Sequence, residues 1–420
     1  MDFLVKYQIF RLLQVIGSFL VIGLVSRELT SNSINVWLLM GTFINLGNYI
    51  DLGIAGMSIT AVKAVNTKSE EIRNFAYWNS ILIQSKKFVT AALCSVIVAF
   101  YFYKRVAALS ESNLILSFFT IVFVAAVTII GSILSSYFIA MGMSQSFTFI
   151  SLVGVVLQLM LAIFFSIKNF SLLTFIMLLA VPNVYVLSLL GKKCYKYYQS
   201  KRNESKELLE WYQDSIEKNV ASLFQILQLL IMLSSLIFPL FISFRYTVSD
   251  SNAFQIFFKI AFLAASVSGI HLPNIWTSPS NNWTRKGRSN RAPRMSSGIK
   301  NLFIPILMFV SLPILYLFDF LPKEKYSAPK FEEFVLWILI SWVQYYLAKS
   351  YFRCLAEDRL KAIFIPTTIP LIVVIFCVAL SSPSMPSPVF LLFISQFLQA
   401  IYYRCIFAFE GYRKSGFQSI

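Results

Sequence analysis

Charge is scarce in this chain. Of its 420 residues only 13% are Asp, Glu, Lys or Arg, while 57% are apolar and the mean hydropathy is +0.70. A soluble domain carries about a quarter charged residues and cannot hide so much apolar surface. Histidine occurs once, at His271, and the five cysteines (Cys94, Cys194, Cys354, Cys377, Cys405) are scattered without a C-x-x-C spacing. That excludes a disulfide framework and a zinc-ligand cluster of the usual kinds. There is no glycine-rich phosphate loop, no P-loop lysine and no nucleophile elbow, which excludes an ATP-driven engine within the chain. Long polar loops are missing as well. The longest segment expected on the outer side, about 321–331, is too short to hold a catalytic domain, so the chain is expected not to be an enzyme.

What is present is a series of apolar blocks of about 18 to 25 residues, each long enough at about 1.5 Å per residue to cross a hydrocarbon layer of about 30 Å. Twelve such blocks are expected as helices: 9–26, 34–62, 88–103, 114–140, 147–167, 171–191, 220–244, 252–276, 301–320, 332–354, 362–381 and 389–409. Barrel strands are shorter, and an open sheet would leave backbone groups unsatisfied in lipid. The expected fold is therefore an all-α integral membrane bundle. The first block is interrupted by Arg11 and Gln14 and ends at Arg27-Glu28, so it reads as a span and not as a cleavable leader.

The basic residues set an orientation. With the N-terminus inside, 27 of the 36 lysines and arginines fall in cytoplasmic segments, 8 fall outside and Lys259 lies within a span. That bias predicts both termini in the cytoplasm of a multi-pass protein. The net charge of +17 is then mostly a topology signal, with anionic head groups and not nucleic acid as partners of the basic loops.

The segment 192–219, mixed in charge, stands at the chain's midpoint. It divides the sequence into an N-terminal six-helix bundle (1–191), a cytoplasmic basic linker (192–219) and a C-terminal six-helix bundle (220–420). A weak repeat supports this division: a shift of 218 places Arg27-Glu28-Leu29-Thr30-Ser31-Asn32-Ser33 over Arg245-Tyr246-Thr247-Val248-Ser249-Asp250-Ser251. Two parallel bundles related by pseudo-twofold symmetry are expected, a plan suited to alternating access.

Ionisable groups at membrane depth cost a few kcal/mol on insertion scales and mark cavities or partners. Lys259, some two turns into the eighth span, is the sharpest of these, as an ammonium facing an anionic substrate; snorkelling is the competing reading. Asp51, in the second span beside Gly53 and Gly56, is expected to bind a coupling cation, to titrate, or only to fix packing. Arg27 and Arg245 hold equivalent places at the outer ends of spans one and seven, and Arg11 and Lys63 stand at the inner ends of spans one and two. These four form candidate cationic mouths. Trp37, Trp78, Trp276, Trp283, Trp337 and Trp342 fall near the expected interfaces, where an aromatic belt would anchor the spans.

The stretch Tyr49-Ile50-Asp51-Leu52-Gly53-Ile54, followed by Thr60-Ala61-Val62-Lys63, and the turn segment Ser136-Tyr137-Phe138-Ile139-Ala140-Met141-Gly142 carry a resemblance. They are similar to elements of the Wzx-type O-antigen and polysaccharide repeat-unit flippases, within the multidrug/oligosaccharidyl-lipid/polysaccharide exporter superfamily. His271-Leu272-Pro273 departs from the regular polar turn of that group. The resemblance implies an alternating-access transporter of the bacterial inner membrane. Its implied cargo is an undecaprenyl-pyrophosphate-linked oligosaccharide, moved from the cytoplasmic to the outer leaflet, and its implied partners include a polysaccharide polymerase and chain-length proteins. No cofactor is expected, although coupling to a proton or sodium gradient fits such a fold. The competing expectations are a drug/cation antiporter or teichoic-type flippase of the same superfamily and, behind them, a polysaccharide polymerase or ligase.

Overall fold

The computed structural model describes residues 3–45, 58, 59, 62, 70–83, 114–141, 144–168, 171–189, 226, 227, 230, 231, 233, 234, 238–243, 245–268, 322, 324–356, 361–380 and 387–416. Among these, regular structure is entirely helical: α1 (Phe3–Glu28), α2 (Ser31–Asn45), α3 (Glu70–Ile83), α4 (Leu114–Ala140), α5 (Ser144–Ile167), α6 (172–189), α7 (Val248–Ser268), α8 (Phe331–Ala356), α9 (Lys361–Leu380) and α10 (Pro388–Gly416). Three of them, Ser146–Ile167, Leu172–Leu189 and Pro388–Ala408, are long and apolar enough to cross a bilayer by length and composition. The spans expected at 88–103 and 301–320 lie outside the described residues.

The chain divides into two compact units, Met1–Met232 and Leu233–Ile420. In the first, α1 and α5 run parallel and in register. The Phe10 and Phe149 rings meet edge to face with centroids 5.7 Å apart, Gly17 faces Val155, and Ser166 Oγ donates to Glu28 at 2.8 Å. The last two pairs are both separated by 138 residues. Helices α5 and α6 run antiparallel: Gln158 Nε2 donates to the Leu178 carbonyl at 2.7 Å and Gly154 lies against Pro182. A methyl group on Gly154 would fall 2.9 Å from Pro182 Cα, so the absence of a side chain sets how closely these backbones approach.

One helix goes beyond the sequence expectation. Residues 63–87 read as a cytoplasmic loop containing Arg73, yet α3 occupies Glu70–Ile83, with Tyr77 and Ser80 fully buried and Asn74 and Asn79 nearly so. Three of its polar side chains, Asn74, Tyr77 and Ser80, have partners inside the unit. The Tyr77 hydroxyl donates to the Ile133 carbonyl and lies 2.6 Å from Ser136 Oγ, the Tyr137 hydroxyl donates to Asn74 Oδ1, and Ser58 Oγ donates to Ser80 Oγ at 3.2 Å. A helix satisfied by neighbouring helices needs no apolar run, which is why hydropathy passes over it. The segment Ser136–Gly142 therefore does more than turn: its first residues, still in α4, bind α3.

In the second unit α7, α8 and α10 all start from the same end. Ser327 Oγ donates to Asp250 Oδ1 at 2.5 Å at the start of α7, and Trp337 packs on Phe254 and Phe257. Ser387 Oγ donates to Glu333 Oε1 at 2.7 Å, and the Arg353 guanidinium lies 4.3 Å above the Phe407 ring. The last two contacts each join residues 54 apart, so α8 and α10 stay in register over about 30 Å, the thickness of a hydrocarbon layer. Parallel neighbours require a return crossing, and α9 supplies it between α8 and α10. Within α9, Pro366 and Pro370 each remove a helical donor. The Ser234 hydroxyl donates to the Thr367 carbonyl nearby.

Two tryptophans expected at the interface lie instead in the core. Trp37 is 3% exposed and its Nε1–H donates to the Phe175 carbonyl at 2.9 Å, while Trp337 is 1% exposed among phenylalanines. Each is the seventh residue of its helix, two turns in, and the indole N–H of Trp37 finds its acceptor in protein and not in head groups.

Candidate functional site

Helix α7 begins at a threonine N-cap. Thr247 Oγ1 accepts from the Asp250 N–H at 3.2 Å and donates to Asp250 Oδ2 at 2.6 Å. In the first unit Thr30 Oγ1 accepts from the Ser33 N–H at 3.4 Å at the head of α2. The two caps match at a shift of 217, one residue from the register that the sequence identities suggest. In this structural register Asn35 falls on Asn252, and both side chains are buried.

From the cap inward, α7 carries a polar stripe with helical spacing: Ser251, Gln255 and Lys259 stand at i, i+4 and i+8 on one face. Ser251 and Gln255 are buried and joined by a 3.2 Å hydrogen bond from Gln255 Nε2 to Ser251 Oγ. The Gln255 carbonyl oxygen is buried and accepts no hydrogen bond. Beside this stripe the buried Asn252 donates through Nδ2 to the Lys325 carbonyl at 3.2 Å. Lys259, the twelfth of 21 residues in α7, is partly buried, one turn beyond Gln255.

Aromatic residues flank this stripe, with Phe258 and Phe262 on the same side of α7 as Ser251 and Gln255. Phe254 stacks on Phe258 with centroids 5.8 Å apart, Phe258 meets Phe262 at 4.6 Å, and Phe254 and Phe257 hold Trp337. Phe254 and Phe257 hold α7 against α8 through Trp337, and the amide, hydroxyl and ammonium groups give this helix its polar chemistry. A buried amide oxygen without a donor forfeits about 1–3 kcal/mol, a loss that a hydroxyl-bearing ligand would recover.

The remaining expected site residues are dispersed. Arg11 and Arg27 both stand on α1, about 24 Å apart along its axis, with Arg27 exposed in the last turn. Arg245 is exposed just before the α7 cap. Lys63 and Asp51 lie outside the described residues. Lys259 and Arg245 share the second unit, but Lys259 stands about 17 Å along α7 from its first residue, Val248, and Arg245 precedes that helix. Gln255 was missed by the sequence reading, because glutamine carries no charge; its signal was the one-turn spacing from Lys259.

Among the described residues no carboxylate lies in the middle of a helix, and no cluster of three or more His, Cys, Asp or Glu could hold a metal ion. The acidic groups sit at helix ends: Glu28 under Ser166, Asp250 in the α7 cap, and Glu333 at the head of α8.

No protein-family model and no curated protein sequence matches the chain. Its fold is similar to that of solved transporters. An inward-facing multidrug resistance MATE family transporter of the MOP superfamily aligns over 96% of this chain and 98% of its own, with a TM-score of 0.61 and 11% identity. An outward-facing one aligns over 98% and 95%, with a TM-score of 0.57 and 12% identity. The MATE transporter ClbM in complex with Rb+ aligns over 96% and 94%, with a TM-score of 0.55 and 13% identity. The likeness is one of fold, an all-helical architecture in which three helices among the described residues are long and apolar enough to cross a membrane.

Proposed function

We propose that this chain is a flippase that carries an undecaprenyl-pyrophosphate-linked oligosaccharide, an O-antigen type repeat unit, from the cytoplasmic to the outer leaflet of the bacterial inner membrane. Transport is supported by one observation above the others. The fold matches, over nearly the full length of both chains, transporters solved in inward-facing and outward-facing forms. Within that architecture the two six-helix halves, joined by 192–219, would rock about a central passage, with both termini cytoplasmic.

The choice of substrate rests on charge. A pyrophosphate-sugar head group is large, hydrated and anionic, so its passage needs cations and hydrogen-bonding groups, while the isoprenoid tail stays in lipid. Lys259 meets the anion in this reading and Gln255 meets sugar hydroxyls; Arg11 and Lys63 draw the head group in, and Arg27 and Arg245 release it. Asp51 couples the cycle to a proton or sodium gradient. A cation-exporting relative would concentrate carboxylates along its helices, whereas the described helices keep theirs at the ends. One observation favours the second reading, a cation-coupled exporter of the same superfamily: a neighbour in fold is described in complex with Rb+. The polymerase and chain-length proteins that use the repeat unit are the proposed partners.

Deleting the gene in its host tests the proposal. The expected result is loss of surface polysaccharide, with lipid-linked repeat units accumulating toward the cytoplasm, restored by the wild-type chain but not by Lys259→Ala at equal protein level. Units that reach the outer leaflet yet fail to polymerise would overturn it in favour of an enzyme.

A further inference from the structure

Pro322 and residues 324–330 form an irregular strap just before α8. The strap is closed on itself, because the Lys325 and Tyr326 N–H groups both donate to the Pro322 carbonyl, at 2.9 and 3.2 Å. Glu324 and Ala328 are exposed while Tyr326 between them is buried, so one side of the strap is packed inward and the other faces out.

The inward side lies on the end of α7 that carries the polar stripe. Ser327 makes most of the attachment: its N–H donates to the Ser249 carbonyl at 3.4 Å, and its Oγ donates to Asp250 Oδ1 at 2.5 Å and lies 3.0 Å from Ser249 Oγ. The Lys325 carbonyl accepts from Asn252 Nδ2 at 3.2 Å, one turn of helix from Gln255. Beneath these contacts Ser251, Asn252 and Gln255 are fully buried. With the strap in this position the stripe is shut off.

The attachment is of a kind that can be undone. One of these contacts is a backbone bond, long at 3.4 Å, and the others run through side chains. Because the turn at Pro322 is bonded within the strap, the strap can lift from α7 as one piece and keep its own hydrogen bonds. We propose that it is a gate over this end of the α7 stripe, latched by Ser327 and opened to join the stripe to the aqueous side it faces. The inference rests on the stripe belonging to the transport path and holds for any cargo.

The test is labelling of the full-length protein with a membrane-impermeant maleimide. Gln255→Cys is the reporter, and Ser249→Cys with Ser327→Cys forms an oxidisable clasp. Mass spectrometry of the peptide bearing residue 255 keeps the reporter apart from the native cysteines. In intact cells the reagent meets the side expected to be outer, and in inverted vesicles it meets the opposite side. Closing the clasp is expected to slow labelling at least tenfold from the strap's side and to leave labelling from the opposite side unchanged. Ser327→Ala, which removes the latch without a cross-link, is expected to speed labelling severalfold from the strap's side. Equal labelling with the clasp open and closed would overturn the proposal. So would equal slowing from both sides, which would make the strap a structural tie that stiffens α7. Labelling involves no cargo, so the gate and the flippase reading, which the deletion phenotype tests, fail separately.

Discussion

Glu333 Oε1 accepts a 2.7 Å hydrogen bond from Ser387 Oγ and thereby ties the first turn of α8 to the residue before α10. The same carboxylate reaches back to the Lys330 N–H at 3.4 Å, closing the end of α8. Glu333→Ala removes a cap and a charge-assisted bond, with an expected loss of about 1–2 kcal/mol. Thermal unfolding in detergent should fall by a few degrees, while Glu332→Ala, one residue earlier and exposed, should change little.

Gly154 marks a helix crossing in the first unit where an added methyl would meet backbone and not a side chain. In Gly154→Ala the new methyl meets the Pro182 backbone at 2.9 Å, so a helix must shift, at about 1–3 kcal/mol. Gly17→Ala meets only the Val155 side chain at 2.8 Å and should cost less. Comparing the melting temperatures of the two variants checks the order.

Gln255→Leu separates fold from transport. Its carbonyl oxygen is buried without a donor, so replacing the amide by an apolar side chain of similar size should leave stability nearly unchanged, within about 1 kcal/mol. Transport should fall at least tenfold if the oxygen serves the substrate. Equal transport by the variant, measured as surface polysaccharide at matched expression, would remove Gln255 from the site.

Ser249 Oγ and Ser327 Oγ lie 3.0 Å apart, linking the start of α7 to the strap before α8. The double variant Ser249→Cys, Ser327→Cys should cross-link under mild oxidation, read as a mobility shift on a gel after cleavage between the two positions. In intact cells the disulfide should yield to a membrane-impermeant reductant, because the proposed topology puts this end outside. Resistance to that reductant would reverse the orientation.

Much of the fold was legible because lipid-facing helices must be apolar along their length. The expected spans 114–140, 147–167, 332–354 and 362–381 fall within three residues of α4, α5, α8 and α9 at each end. The rule fails where a helix is surrounded by protein. The Asn74, Tyr77 and Ser80 groups of α3 are satisfied by Ile133, Ser136, Tyr137 and Ser58, so its sequence is free to be polar. The buried Trp37 and Trp337 fail for a related reason: position near a span end does not tell whether an indole faces lipid or a neighbouring helix. Of the site, Lys259 was visible as a charge inside an apolar run, whereas Gln255, uncharged and marked in the sequence only by its one-turn spacing from Lys259, stands out once its oxygen is seen to lack a donor.

The register between α8 and α10 has a mechanical consequence. Two parallel helices pinned at both ends, by Glu333–Ser387 and by Arg353–Phe407, resist sliding past each other and so behave as one stiff strut with a fixed apolar length. In a thinner bilayer the pair must tilt together or draw the leaflets up around it, and in a thicker one it must pull them in. The second unit is thereby sensitive to membrane thickness, which gives acyl-chain length a direct hold on this half of the protein.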